Sequence, residues 1–198
     1  MSPKSIQAKT APLVLSVLLL IPAVGHARPP DVSLARAADL SEIGIDNFGR
    51  VNASYYRGAE PDDDRYATLA ALGVKTVVDL RSDDADVEDK RFVERAGMKY
   101  AQIPMTTHEP PTPSVINTFL QIVSDPANQP VYVHCVGGRH RTGVMTAVYR
   151  MTQDRWTAEQ AFSEMKQYKY GPDFLHPEFK RFVYGYHVDR AVVAKAGE

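Results

Sequence analysis

The chain has 198 residues, 24 acidic against 23 basic side chains for a formal net charge of −1, 44% hydrophobic residues and one cysteine. That balance gives no sign of a nucleic-acid-binding surface, and a single cysteine excludes any disulfide within the chain. There is no internal repeat and no low-complexity segment, so after its first residues the chain is long enough for one domain with a real core.

Lys4 and Lys9 precede an uncharged apolar run at 11–24, and the small residues Gly25 and Ala27 stand at the spacing of a cleavage site before Arg28. This pattern predicts a signal peptide at 1–27 and an exported protein, periplasmic or secreted. The run is shorter than the ~20 apolar residues of a membrane span, so no stable membrane insertion is expected once it is cleaved. The alternative is an uncleaved anchor, which leaves the same domain on the outer side of a membrane. Losing Lys4 and Lys9 takes the formal charge from −1 to −3.

Residues 28–46 carry no firm periodicity and are predicted as an extended lead-in, followed by a domain over 47–190 and a tail at 191–198. A short strand is expected at 53–57. Pro61 and the aspartates 62–64 suggest a helix start whose carboxylates suit its positive end, closed by Gly73. Residues 74–80 (VKTVVDL) read as a buried strand, 86–96 as a helix ending at Gly97, and 99–103 as another strand.

Four prolines within 104–113 exclude a helix or a central strand and predict a stiff loop. Thr112-Pro113 marks a helix start, with Ile116, Phe119, Leu120 and Val123 on one apolar stripe. Residues 130–134 (PVYVH) form a β-rich run. Val144, Ala147, Val148 and Met151 make a second helical stripe, and Thr157 with Gln160 a capping box before a third. Phe179, Phe182 and Val183 indicate a last helix. Alternating strands and helices predict an α/β domain with a mostly parallel central sheet covered by helices on both faces. Sites in such sheets lie beyond the carboxyl ends of the strands, where Cys135 falls.

The chemistry concentrates in His134-Cys135-Val136-Gly137-Gly138-Arg139-His140-Arg141-Thr142-Gly143. Gly137 and Gly138 allow the backbone N–H groups from Val136 to His140 to turn toward an oxyanion, while the helix starting near His140 aims its unpaired donors at the same spot. Arg141 matches two phosphate oxygens with its planar fork. The same positive field favours the cysteine thiolate, which is the nucleophile. The residues predict a phosphate cradle with an attacker at its base, needing neither cofactor nor metal.

The flanks of this loop resemble the signature of the protein tyrosine and dual-specificity phosphatase superfamily. Residues 138–143 (GRHRTG) are similar to the Gly-Lys-His-Arg-Thr-Gly of the plant and fungal atypical dual-specificity phosphatases. Residues 47–49 (NFG), 56–58 (YRG) and 128–130 (NQP) extend the likeness over roughly 47–169. The resemblance implies Cys135 as nucleophile, Arg141 as transition-state clamp, Thr142 as a hydroxyl donor easing thiolate departure, and His134 as the residue that orients the loop. Arg139 and His140 read either as solvated groups or as a wider positive field for a multiply charged substrate. The implied partner is a phosphorylated protein or a small phosphoester. Inositol polyphosphates or pyrophosphates are one alternative and phosphate-ligand binding without turnover is another. Sulfur transfer and arsenate reduction are disfavoured by the lack of a second cysteine.

Two departures from that pattern stand out. Many superfamily members use an aspartate on a mobile loop as general acid, whereas the aspartates between Asp86 and Cys135 are Asp89 and Asp125, both poorly placed. Glu109 is the favoured acid, since Glu109-Pro110 matches the Glu-Pro of the atypical group; His108, Asp79 and Asp83 are the alternatives. Gly137 stands where the plant and fungal loops place a basic residue. Lys166, Tyr168 and Lys169 read as surface or pocket border, and Tyr55, Tyr56 and Arg57 as strand packing, with Arg57 a candidate to reach a phosphate.

Overall fold

The computed structural model describes residues 43–82 and 87–188. The signal peptide at 1–27, the lead-in up to 42, Asp83, the helix start at Asp86 and the tail at 191–198 lie outside the described residues.

Five strands form one sheet in the order β1-β2-β5-β3-β4. β1 (Gly49–Asn52) and β2 (Tyr55–Ala59) pair antiparallel, while β3 (Thr76–Arg81), β4 (Lys99–Met105) and β5 (Val131–Cys135) run parallel with β2. Parallel neighbours need crossovers. Helices α1 (Arg65–Ala71), α2 (Val87–Arg95) and α3 (Pro113–Ser124) supply them, and α4 (Arg141–Gln153), α5 (Ala158–Gln167) and α6 (Pro177–Gly185) follow β5. The expected α/β architecture is the one observed.

Strand alternation sends side chains to two cores. On β5, Val131, Val133 and Cys135 join Phe119 of α3, Val144 of α4, Met165 of α5 and Phe179 of α6. Tyr132 points the other way, among Tyr66 and Leu69 of α1 and Val93 of α2. Each such fully buried apolar side chain contributes about 1.5–3 kcal/mol. β5 is therefore clamped on both faces, and that packing sets the position of Cys135 at its end. α4 is buried on nearly every side, from Arg141 through Thr152.

Three boundaries differ from the sequence expectation. The strand at 53–57 is instead a hairpin: the Ser54 amide donates to Asn52 Oδ1 at 2.8 Å, a local turn that competes with the ladder, and pairing resumes at Tyr55. The aspartates 62–64 precede α1 rather than filling its first turn, and Asp64 makes no capping bond. β4 runs on through Pro104 to Met105, since it is the sheet edge, where a missing N–H costs no ladder bond. The predicted caps are present. Thr112 Oγ1 accepts from the Val115 amide at 3.3 Å, and Thr157 with Gln160 closes its box at 2.9 and 3.3 Å. Each cap stabilises its helix by about 1 kcal/mol.

Candidate active site

Cys135 ends β5 at 3% exposure and Arg141 opens α4 at 4%, so neither faces open solvent. Between them the loop is held from behind, carbonyl by carbonyl. The Glu60 amide donates to the Val136 carbonyl at 3.1 Å. Asn47 Nδ2 donates to the carbonyls of Gly137 at 3.3 Å, Gly138 at 2.9 Å and Tyr168 at 2.9 Å. Arg57 Nη2 donates to the Gly138 carbonyl at 2.6 Å. In a trans peptide the N–H points opposite to the C=O, so three carbonyls fixed outward turn the amides of Gly137, Gly138 and Arg139 toward the loop interior.

Gly138 has φ +62 and lies against the backbone of the β2 end: a Cβ there would collide with the Gly58 carbonyl and fall 2.6 Å from the Ala59 nitrogen. Only glycine fits such a left-handed position pressed on another chain segment. At the next turn α4 begins without a side-chain cap. His140 Nε2 donates instead to the Tyr170 carbonyl at 3.0 Å. No N-cap side chain therefore occupies the positive end of α4, which suits an anion. Arg141 Nη1 donates to the Met105 carbonyl at 3.3 Å, tying the guanidinium to the root of the 106–112 loop.

Arg57 does not reach a phosphate. It is fully buried, its guanidinium lies 4.0 Å from the centroid of the Tyr168 ring, and it supports the loop from beneath. Burial holds its pKa below the ordinary arginine value. Tyr168 is thus packing for Arg57 rather than a pocket border. Lys169 pairs with Asp46 at 2.5 Å, and Lys166 with Asp173 at 2.7 Å. Tyr55 packs edge-on to Tyr149 at 4.9 Å, and Tyr56 stacks with Phe48 at 5.8 Å.

His134 is wholly buried, stacked on Tyr132 at 5.8 Å, and neither ring nitrogen makes a hydrogen bond of normal geometry. Burial lowers its pKa to about 4, so it is a neutral ring wedged beneath the cysteine. Thr142 Oγ1 is likewise buried without a hydrogen-bond partner among the described residues. Burial also lowers the pKa of His140, while Arg139 stands exposed at the rim.

Among the acid candidates, Asp79 is excluded by its surroundings. It is fully buried, holds Arg81 through Nε at 2.9 Å and Nη2 at 2.8 Å, and accepts from Tyr100 at 2.8 Å. Arg81 also pairs with Asp89 and, at 2.6 Å, with Glu60. That network braces the ends of β2 and β3 and leaves Asp79 no path to a substrate. Glu109 and His108 are exposed on the loop between β4 and α3. Glu109 Oε2 accepts from Thr106 Oγ1 at 3.4 Å, and His108 stacks on His176 at 5.6 Å. Sequence reasoning quoted Asn47 as part of a motif without a role; its three carbonyl partners lie 90 to 121 residues away in sequence, beyond any local signal.

Residues 40–180 match the family described as DSP-PTPase phosphatase fused to NAD+ kinase. The chain is 29% identical over 186 residues to the dual specificity protein phosphatase TpbA of Pseudomonas aeruginosa, spanning 92% of this chain and 82% of that one. The structure of P. aeruginosa TpbA, as a cysteine-to-serine form in complex with pTyr, superposes with a TM-score of 0.65 at 26% identity, over 79% and 93% of the two chains. The catalytic core of the PP-IP phosphatase SIW14 of S. cerevisiae superposes at 0.67 and 26% identity, over 77% and 92%. The chain belongs to the protein tyrosine and dual-specificity phosphatase superfamily, alongside its fungal and plant atypical members and the bacterial TpbA relatives, and is a cysteine-dependent phosphatase.

Proposed function

We propose that this protein hydrolyses phosphate monoesters of phosphotyrosine or dual-specificity protein substrates, outside the cytoplasm, through a cysteinyl phosphate on Cys135. The observation that carries the mechanism is the loop whose carbonyls are fixed outward between a buried cysteine and a buried arginine. The Cys135 thiolate attacks phosphorus in line; the sulfur–phosphorus bond forms as the ester oxygen leaves. Loop amides and Arg141 hold the three equatorial oxygens, in a pocket organised before the substrate arrives. Glu109 gives its proton to the leaving oxygen, then takes one from water as that water attacks the intermediate. Thiolate returns to Cys135, with Thr142 as the hydroxyl that steadies it, and phosphate departs.

The protein-substrate reading draws on the charge beside the loop. An open cavity of about 600 Å³ next to Val136 is lined by Asp62, Asp63 and Asp64, together with Glu60 and Asp89, whose charge Arg81 offsets in part. Such a rim repels a substrate bearing several phosphates and suits one phosphate on a chain with basic neighbours. Gly137, in place of a basic residue, points the same way. Similarity to a PP-IP phosphatase and the exposed Arg139 favour a second reading, inositol polyphosphates or pyrophosphates. Export rests on Lys4, Lys9 and the apolar run at 11–24. Among the described residues no helix is long and apolar enough to cross a membrane.

The test is phosphate release from p-nitrophenyl phosphate under reducing conditions, with Cys135→Ser alongside. Activity that survives the serine substitution removes Cys135 as nucleophile, and a wild type that binds phosphate analogues without turnover makes the protein a binder. A panel of phosphopeptides against inositol phosphates and pyrophosphates then decides the substrate. A preference for the inositol compounds overturns the reading drawn from the acidic rim.

A further inference from the structure

The loop that carries Glu109 faces the start of α6, and there the structure gathers donors that the phosphatase reaction does not use. One ligand-type atom from each of His108, His176 and Glu178 lies within 4.8 Å of the other two. His176 Nδ1 and Glu178 Oε1 are 3.2 Å apart. Two ligands on one tetrahedral zinc, each bonded at 2.0–2.1 Å, stand about 3.3 Å from one another, so this pair is already at coordinating separation.

The His176 half of the cluster is fixed in place. The side chains of His176 and Glu178 are 15% and 18% exposed. The imidazole sits 3.8 Å from the His140 ring and 5.9 Å from Phe179, and Tyr170 donates its hydroxyl to the His176 carbonyl. His108 is the exposed arm, and its ring nitrogen needs at most about 1.5 Å of closure to reach the ~3.3 Å separation of two ligands on one ion. Two imidazoles and one carboxylate are the donor set of a borderline divalent ion such as zinc rather than of magnesium or calcium.

We infer that His108, His176 and Glu178 form a divalent transition-metal site that fastens the 106–112 loop to the start of α6. Glu109 adjoins His108, so an ion here restrains the loop with the carboxylate accepting from Thr106 Oγ1 and limits its movement toward a leaving group. Metal binding then slows hydrolysis without entering it. The inhibitory part rests on Glu109 acting as the acid; the binding part does not.

The experiment uses the chain with Cys135→Ser, so that the thiolate cannot take the ion, titrated calorimetrically with zinc and followed with cobalt(II) by visible absorption. One equivalent is expected to bind with a tetrahedral cobalt spectrum, and Glu178→Gln or His108→Gln to weaken binding roughly tenfold or more. No stoichiometric binding, or binding that neither substitution weakens, overturns the site. In the Cys135-containing protein zinc is expected to inhibit hydrolysis of a poor-leaving-group ester, and Glu178→Gln to keep the basal rate and lose that inhibition. Equal inhibition of both forms overturns the loop-fastening role while leaving the calorimetric result standing. Absence of any basal activity bears on the phosphatase reading alone.

Discussion

The two sides of the active site are built to different standards. Behind the phosphate loop, Asn47 and Arg57 take the carbonyls of Gly137 and Gly138, His140 is tied to Tyr170, and Tyr132 donates to the Ala59 carbonyl at 2.5 Å. In front, residues 106–110 are exposed, and the Glu109 carboxylate meets a hydroxyl of its own loop at 3.4 Å. The wall behind the loop is fixed by these bonds, and the arm proposed to carry the acid is not. Binding and proton transfer should therefore fail separately when mutated, the first for every ester and the second according to the leaving group.

Arg141→Ala is the strongest challenge to that division. Losing a preorganised clamp on the equatorial oxygens is expected to lower kcat/KM by about 10²–10³-fold for activated and unactivated esters alike. A loss that depended on leaving group would show the two sides to be coupled. Glu109→Gln should cost about 10²-fold on a poor leaving group and under about tenfold on p-nitrophenyl phosphate, and equal losses on both would take the acid role from Glu109.

Gly138→Ala tests the rigid wall as structure. A left-handed alanine costs about 1–2 kcal/mol, and its collision with the β2 backbone adds a comparable amount. Urea unfolding is expected to show about 3 kcal/mol lost, whereas a stability change near zero would mean the wall yields as readily as the front loop. The smallest effect belongs to His134, whose folded pKa of about 4 lies below the ordinary 6.5. The unfolded chain takes the proton first, so stability is complete above pH 6.5 and falls as the pH drops toward 4. Between pH 7 and 5 the loss is about 2 kcal/mol. His134→Asn is expected to remove that part of the acid sensitivity, and an unchanged pH profile would contradict a neutral buried ring.

What the sequence revealed divides along similar lines. The β-branched run at 74–80, the stripe of Ile116, Phe119, Leu120 and Val123, and the Thr157 box are local patterns, and each became the expected element. The hairpin was hidden because its turn depends on one Asn52 side chain competing with the ladder. In the site, the run from His134 to Gly143 was legible from its residue types, glycines and flanks taken together, since the spacing of Cys135 and Arg141 is weak evidence alone. The supports were not legible, since Asn47 and Arg57 act on carbonyls more than 80 residues away, and the meeting of His108 with His176 depends on where α6 returns to the sheet.

The buried Arg57 has one more consequence. Among the described residues its Nε and Nη1 have no hydrogen-bond partner, its pKa is pressed down by burial, and Cys135 lies within its electrostatic reach. Arg57 thus adds a buried positive charge beneath the phosphate loop. An incoming phosphate dianion meets that field from across the loop, without contact with the guanidinium. An oxyanion held at a hundred times its dissociation constant would then tighten the whole fold by about 2.7 kcal/mol.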